Sequence, residues 1–191
     1  MCVVYKLDDL ISLLEELQKR GFRGVIIGST VISLELREKK FEDDVDFFAF
    51  EPSPLIEEDT YRSWANELGW EMTYTELGTP RLIARVGGTD IVLEFYENIH
   101  DFYVPPEMLE RAPAKKLKKV EIKVLKPEDY IVLKAKAGRD EDMEDLQKIR
   151  ELISMGKLKI DERLVKEAIN MLPEEDQKLT IKRLKQLGFR L

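Results

Sequence analysis

Residues 44–50, Asp44-Val45-Asp46-Phe47-Phe48-Ala49-Phe50, decide the fold class that we predict for this chain. After its two aspartates the segment is apolar on both alternating faces, which is typical of a strand at the centre of a β-sheet. Other strand-like segments lie before and after it, at residues 25–27, 70–75, 81–86, 90–96 and 120–124. Residues 1–125 are therefore predicted to form an α+β core in which helices flank a mixed β-sheet.

Helical periodicity surrounds these strands. Apolar residues between Leu7 and Leu17 recur at helical spacing, and Gly21 ends this first helix. A second helix is predicted to follow residue 29 and to run to about Lys39. Further helices are predicted over residues 59–68, 127–137 and 140–154, and a helical hairpin broken at Pro173 over residues 161–187. Residues 126–191 are thus expected to be a helical C-terminal part packed on the core.

Composition excludes several classes of protein. The chain has 191 residues, of which 43% are hydrophobic, and a formal net charge of −7, so it can build a core and is not globally disordered. No apolar run approaches the roughly 20 residues of a membrane span, and the N-terminus lacks a signal pattern. We therefore expect a soluble, cytoplasmic protein. Charged residues reach 36% while Asn and Gln are scarce, a balance typical of hyperthermophile proteins.

The chain contains one cysteine, Cys2, and one histidine, His100. A disulfide within the chain and a zinc site with several histidines are both excluded. Catalysis by a serine–histidine or cysteine–histidine pair would depend on His100, whose surroundings in the sequence indicate nothing special. The chemistry must therefore rest on carboxylates, lysines or hydroxyls, with or without a hard metal ion.

Asp44 and Asp46 are candidate metal ligands because alternation along a strand points both carboxylates to one face. Two carboxylates at the start of a buried strand repel one another unless a cation lies between them. Oxygen ligands of this kind suit Mg²⁺ or Mn²⁺. The same residues are equally compatible with a polar turn that carries no ion.

Gly28-Ser29 lies between a predicted strand and a predicted helix, where backbone N–H groups and the Ser29 hydroxyl can bind an anion. Glycine at position 28 would let a phosphate approach the backbone closely. An ordinary turn with Ser29 as the helix N-cap explains the pair more simply when it is taken alone. Together with Asp44 and Asp46, it indicates a site for a metal-bound nucleoside triphosphate.

A third carboxylate is expected from the strand at residues 90–96, where Asp90 and Glu94 share one face. Glu94 lies between Leu93 and Phe95, well inside the strand, where an unpaired charge is unfavourable. Asp90 lies at the turn marked by Gly87-Gly88. We prefer Glu94 as the third site residue and keep Asp90 as the alternative.

These motifs resemble those of the DNA polymerase beta-like nucleotidyltransferase superfamily. The similar elements are Val25-Ile26-Ile27-Gly28-Ser29, Asp44-Val45-Asp46-Phe47 and Leu93-Glu94-Phe95. A fourth, from Leu125 to Arg139 and followed by Asp142 and Asp145, is similar to a pattern in small bacterial and archaeal nucleotidyltransferases, including toxin-type ones. The four elements cover about residues 22–150 in the order that the superfamily has.

The resemblance implies that the protein moves a nucleoside monophosphate from a triphosphate, such as ATP, to an acceptor hydroxyl and releases pyrophosphate. Asp44, Asp46 and Glu94 would be the catalytic and metal-binding residues, with Mg²⁺ or Mn²⁺ as cofactor. Gly28, Ser29 and Lys134 would bind the nucleotide.

The acceptor stays open among an RNA end, a protein and a small molecule. Seven basic residues between Arg111 and Lys126 could form a local phosphate-binding surface, although a solvated surface explains them more simply. The alternative to an enzyme is a non-catalytic module on the same fold that binds a nucleotide or a partner.

Overall fold

The computed structural model describes residues 4–100 and 102–191, and Cys2 lies outside them. The strands of the described residues are β1 (Tyr5–Lys6), β2 (Arg23–Ile26), β3 (Lys40–Phe41), β4 (Val45–Glu51), β5 (Glu71–Tyr74), β6 (Pro80–Val86), β7 (Thr89–Tyr96), β8 (Ala114–Leu117) and β9 (Val120–Val124). The helices are α1 (Leu7–Lys19), α2 (Thr30–Glu35), α3 (Glu58–Leu68), α4 (Pro106–Glu110), α5 (Pro127–Ala137), α6 (Asp140–Ser154), α7 (Glu162–Asn170) and α8 (Glu174–Gln186).

Within the described residues, one sheet has seven strands in the order β5-β6-β7-β4-β2-β9-β8, and β1 pairs separately with β3. The central strand β4 runs parallel to β7 and antiparallel to β2, which in turn runs parallel to β9. The sheet is therefore mixed, and α1 and α3 contact its strands. The predicted α+β class and the central position of β4 are confirmed.

The described residues divide into two compact units. The first contains the chain up to Tyr103 together with Ala112–Val124, and the second contains Val104–Arg111 and Leu125–Leu191. All strands belong to the first unit, and α4 to α8 belong to the second. The sequence-based boundary after residue 125 and the packing of the C-terminal part on the core stay predictions.

An aromatic cluster fills one side of the central strands in the first unit. Phe47 and Phe95 stack with their ring centroids 5.4 Å apart, and Phe22 meets both rings edge-on. Tyr61 of α3 packs on Phe95 at 4.8 Å. Side chains alternate along a strand. The residues next to Phe47 and Phe95 in the sequence therefore lie on the opposite face of the sheet.

The second unit is built around α5, which contacts α6, α7 and α8. Burial of Tyr130, Ile131 and Val132 provides its apolar surface. Gly138, with a φ of 63°, ends α5, and Arg183 donates hydrogen bonds to two carbonyl groups in the last turn of that helix. None of the described helices has the length and apolarity to cross a membrane.

Three local predictions need correction. The second helix ends at Glu35 and not near Lys39, because Arg37 adopts a left-handed backbone with a φ of 57° and Lys40–Phe41 then pair with β1. Helix α4 follows Pro105, where the sequence predicts only a loop. Strand β8 occupies part of the basic stretch, and it pairs with β9 at the edge of the sheet.

Candidate active site

The strand register brings the predicted carboxylates to one face of the sheet. Asp46 on β4 lies directly opposite Glu94 on β7 in the parallel pairing. Asp44 immediately precedes β4 and is two residues before Asp46, so strand alternation sends it to the same side. Paired residues of adjacent strands are about 5 Å apart. Asp46 and Glu94 are therefore neighbours at the middle of the sheet.

Gly28 lies against the Asp46 side chain. The backbone N–H of Ile27 donates to the Asp46 carbonyl at 3.0 Å, which continues the pairing of β2 with β4 up to the glycine. A Cβ atom at position 28 would overlap the Asp46 carboxylate, with Oδ2 as the nearest atom. Glycine is thus required here by the carboxylate itself, and the predicted close approach of a phosphate to Gly28 stays a prediction.

Ser29 precedes α2 with a helical backbone, φ −57° and ψ −27°. Within the described part of the chain its side chain makes no capping hydrogen bond to that helix. The simple interpretation of Ser29 as a side-chain N-cap is therefore not what the structure shows. The helix that follows is only six residues long, so the predicted anion site depends on the loop and the Ser29 hydroxyl more than on a helix dipole.

Glu94 has two partners that sequence reasoning missed. Arg81 on β6 donates through Nε to Oε1 of Glu94 at 2.6 Å, and the Tyr96 hydroxyl donates to Oε2. Arg81 lies directly opposite Glu94 in the antiparallel pairing of β6 with β7. The signal was present in the sequence, since counting outward from the turn at Gly87-Gly88 pairs residue 81 with residue 94.

The charges around this face influence one another. Burial raises the pKa of Asp44, repulsion by Glu94 raises it further, and Arg81 opposes the shift. Burial and the hydrogen bond to Glu94 raise the pKa of Tyr96, and the charge of Asp46 adds to the effect. Tyr96 is therefore a hydrogen-bond donor at neutral pH. Three carboxylates meet at this face with Arg81 as the compensating cation in these interactions.

Asp90, the alternative third carboxylate, lies at the other end of β7. Its two oxygens accept hydrogen bonds from Arg85 at 2.8 Å and 3.2 Å. This pairing lowers the pKa of Asp90. Four residues of extended strand, about 13 Å, separate Asp90 from Glu94, so Asp90 is away from Asp46.

Lys134 belongs to the second unit, where it pairs with Asp142 and Asp145, each at 2.9 Å from its Nζ. Burial alone would lower the pKa of Lys134, but Tyr130 and the hydrogen bonds to the two aspartates outweigh it and raise the pKa. Lys134 is therefore charged. Its predicted role in binding the nucleotide phosphates stays a prediction.

Several basic residues between Arg111 and Lys126 pair with acidic residues nearby. Lys115 contacts Glu35 at 2.7 Å and Lys119 contacts Glu15 at 2.6 Å. Lys118 pairs with Asp8, and Arg111 pairs with Asp129 in the second unit. These ion pairs reduce the positive charge that the stretch could present to a nucleic acid.

No three His, Cys, Asp or Glu side chains among residues 4–100 and 102–191 are arranged so that they could hold a metal ion together. The bonds of Glu94 to Arg81 and Tyr96 engage both oxygens of the third predicted ligand. The metal site expected from the sequence therefore stays a prediction.

The fold is that of nucleotidyltransferase-like proteins. The structure resembles the crystal structure of an antigenic nucleotidyltransferase-like protein from Paracoccidioides brasiliensis, with a TM-score of 0.58, 15% identity and coverage of 97% of this chain and 91% of that one. A solution structure of the antibiotic-resistance factor ANT(2'')-Ia gives a TM-score of 0.47 at 14% identity over 94% of this chain and 91% of that one. The first likeness defines the fold, and the second is too low to add to it.

The chain belongs to the family described as "Nucleotidyl transferase of unknown function (DUF2204)", whose family model matches residues 6–186. This assignment confirms the superfamily that the sequence motifs resemble, and it makes the protein a nucleotidyltransferase by class. No curated protein matches the sequence.

Proposed function

We propose that the protein transfers a nucleoside monophosphate from a nucleoside triphosphate to an acceptor hydroxyl and releases pyrophosphate. One observation supports this reaction above all: Asp46 and Glu94 lie opposite each other on the two central parallel strands, with Asp44 on the same face. Arg81 offsets the charge of Glu94, and a bound cation would relieve the repulsion that is left among the three carboxylates.

We infer Mg²⁺ or Mn²⁺ as the cofactor from the donor atoms of these side chains, although the three are not arranged to hold an ion together in the described part of the chain. Asp44, Asp46 and Glu94 offer only carboxylate oxygens, the ligands that hard divalent cations prefer. The raised pKa of Asp44, caused by burial and then by Glu94, reflects a repulsion that a bound cation would relieve. The ion would stabilise charge on the phosphate oxygens and lower the pKa of the acceptor hydroxyl.

Gly28, Ser29 and Lys134 would bind the nucleotide, as the resemblance to the superfamily implies. The backbone and hydroxyl of Ser29, next to Gly28, would donate hydrogen bonds to the β- and γ-phosphates. Lys134 would neutralise phosphate charge, as the superfamily pattern implies. Catalysis would then come from positioning and electrostatic stabilisation, which dominate in reactions at phosphorus.

The acceptor is a hydroxyl on an RNA end, a protein or a small molecule. The ion pairs of Lys115, Lys118 and Lys119 with nearby acidic side chains leave little free positive charge on that stretch, which makes an RNA acceptor the least supported of the three.

The test is incubation of the purified protein with each α-labelled nucleoside triphosphate, Mg²⁺ or Mn²⁺, and fractionated cell extract. We expect one fraction to gain label while pyrophosphate is released. Asp46→Asn should abolish both, whereas Asp43→Asn, at an exposed neighbouring carboxylate, should preserve them. Labelling that persists in Asp46→Asn would contradict the assignment of this face.

A binding measurement separates the enzyme from a non-catalytic module. The triphosphate with Mg²⁺ should raise the unfolding midpoint by an amount set by mass action, and Asp46→Asn should remove the rise. A rise without pyrophosphate release in any fraction would favour the module. Neither rise nor release would contradict both functions.

A further inference from the structure

Glu94 is a nearly buried carboxylate that is held by two neighbouring side chains. Its side chain is 8% exposed and lies in the middle of β7, where an ionised carboxylate needs donors. Arg81 covers Oε1 with both Nε and Nη2, and Tyr96 supplies one donor to Oε2. Each carboxylate oxygen has two lone-pair sites, so these contacts leave one site, on Oε2.

The two donors are themselves held in place. Arg81 is fixed by the register that sets it opposite Glu94, and its side chain is 36% exposed. Tyr96 is two residues beyond Glu94 on the same strand, and its ring stacks on Phe102 with a centroid distance of 4.8 Å. A buried carboxylate fixed by a rigid arginine and a stacked tyrosine has little rotational freedom.

Asp46 lies on the other side of Glu94, opposite it on β4. Glu94 is therefore between a guanidinium on one neighbouring strand and a carboxylate on the other. The donors act from the side of β6 and from further along β7, and neither comes from β4.

We propose that Arg81 and Tyr96 are positioning residues for Glu94: they fix its carboxylate so that the remaining lone-pair site on Oε2 serves the reaction at Asp44 and Asp46. The assignment rests on the proposed function of this face. Arg81 and Tyr96 act through Glu94 and do not themselves touch substrate.

The chain offers a matched control on the same two strands. Arg85 pairs with Asp90 across β6 and β7, in the same kind of register position as Arg81 with Glu94. This second pair lies at the turn, away from Asp46. Arg85→Gln therefore removes an arginine–carboxylate pair of the same type without touching the site.

The first measurement is the affinity for Mn²⁺ alone, by calorimetric titration of the full chain. Arg81→Gln should weaken Mn²⁺ binding by about tenfold, in the range seen when groups that orient a metal ligand are removed. Arg85→Gln should bind as the unmodified protein does. Unchanged or tighter binding in Arg81→Gln would overturn the proposal, since Arg81 would then be only structural or would compete with the cation.

The second measurement is turnover with the acceptor found above. We expect kcat to fall about 10–100-fold in Arg81→Gln while KM for the triphosphate stays near its original value. Arg81→Lys keeps the charge but loses the planar fork and should recover only part of kcat. Full recovery by lysine, or a lower unfolding midpoint with unchanged kcat, would overturn a positioning role.

Tyr96→Phe keeps the test decisive if Arg81→Gln fails to fold. It deletes one hydroxyl and keeps the ring on Phe102, and we expect smaller losses of Mn²⁺ affinity and kcat in the same direction. Unchanged values for both would overturn the proposal. If the unmodified protein binds Mn²⁺ but transfers no nucleotide, the proposed function fails while the titrations still decide the role of Arg81.

Discussion

The hairpin of β6 and β7 carries two arginine–carboxylate pairs in one register, Arg81 with Glu94 and Arg85 with Asp90. At the turn, the side chains of Arg85 and Asp90 are 73% and 46% exposed, whereas those of Arg81 and Glu94 are 36% and 8% exposed. Solvent screens the pair of Arg85 with Asp90. The pair of Arg81 with Glu94 lies beside β4, with further carboxylates nearby. The same two residue types thus make a surface contact at one end and part of a candidate site at the other.

The difference shows that position on a sheet, more than residue type, gives a carboxylate its chemistry. Both Asp90 and Glu94 are acidic residues on one face of β7, and both have an arginine partner. Only Glu94 has Asp46 directly opposite on the next strand. Four substitution experiments test this contrast between the two ends of the hairpin.

The largest effect is expected from the two carboxylates themselves. Glu94→Gln should lower the rate of nucleotide transfer by about 10²–10⁴-fold, the range that a positioned acid–base group contributes. Asp90→Asn should leave the rate close to that of the unmodified protein. The measurement is the initial rate of pyrophosphate release, and equal losses in the two variants would contradict the contrast.

Gly28→Ala approaches the same face from β2. The new methyl group would overlap the Asp46 carboxylate, so either the backbone or Asp46 must move. We expect a loss of about 1–3 kcal/mol in the free energy of unfolding, together with a strong loss of transfer activity. Denaturant unfolding and the rate assay measure the two effects.

Ser29→Ala is the control for that substitution. Because the Ser29 side chain makes no capping hydrogen bond to α2 in the described chain, stability should change little while KM for the triphosphate rises. A Gly28→Ala protein with unchanged stability and rate would contradict the contact with Asp46.

Replacing each arginine in turn compares how much the Arg81–Glu94 and Arg85–Asp90 pairs contribute to the free energy of unfolding. Arg81→Gln leaves the buried Glu94 carboxylate with one donor fewer and should cost about 1–2 kcal/mol, toward the low end because Arg81 is one-third exposed. Arg85→Gln should leave the free energy of unfolding unchanged within error. Chemical denaturation measures both, and the reverse order of effects would show that exposure does not govern the pairs.

The smallest effect is a difference in pH dependence. The pKa of Asp44 is raised from 3.8 by burial and then by Glu94, so folded Asp44 keeps its proton at pH values where the unfolded chain has lost it. Stability from this group therefore falls as the pH rises through the raised pKa. The pKa of Asp90 is lowered by Arg85, so its contribution is present above the unfolded pKa and is lost as the pH falls through the lowered one.

Unfolding measured between about pH 3 and 7 checks these opposite signs. Asp44→Asn should remove the decline that accompanies rising pH, and its advantage over the unmodified protein should grow up to the raised pKa and stay constant above it. Asp90→Asn should remove a small loss at the acid end. Asp44→Asn that is less stable than the unmodified protein at neutral pH would contradict the direction for Asp44.

Local signals in the sequence predicted α5 to α8 of the second unit well, although α4 was missed. Pro127 at a first helical position and Gly138 after the last turn bound α5 where the sequence predicts it. Nonlocal pairing explains the errors: β3 ends the second helical stretch by pairing with β1, and β8 is a lysine-rich edge strand that depends on β9. Such strands carry little periodic signal of their own.

Alternation predicts that Asp44 shares a face with Asp46 and that Asp90 shares one with Glu94, but the position of Asp46 opposite Glu94 depends on the nonlocal pairing of β4 with β7. The partnership of Glu94 with Arg81 was missed although the turn at Gly87-Gly88 fixes which residues of the hairpin lie opposite each other. The contact of Gly28 with Asp46 depends on the antiparallel approach of β2, and strand order is equally a property of the whole sheet.

The two-residue turn at Gly87-Gly88, where both glycines have positive φ, sets which residue of β6 lies opposite each residue of β7. One added residue there would shift every pairing and set Arg81 beside a different residue of β7. Glu94 would lose its cation although the insertion lies roughly 17 Å away. Chain length at this exposed loop is consequently as restricted as any residue that could touch a substrate, which is unusual for a surface connection.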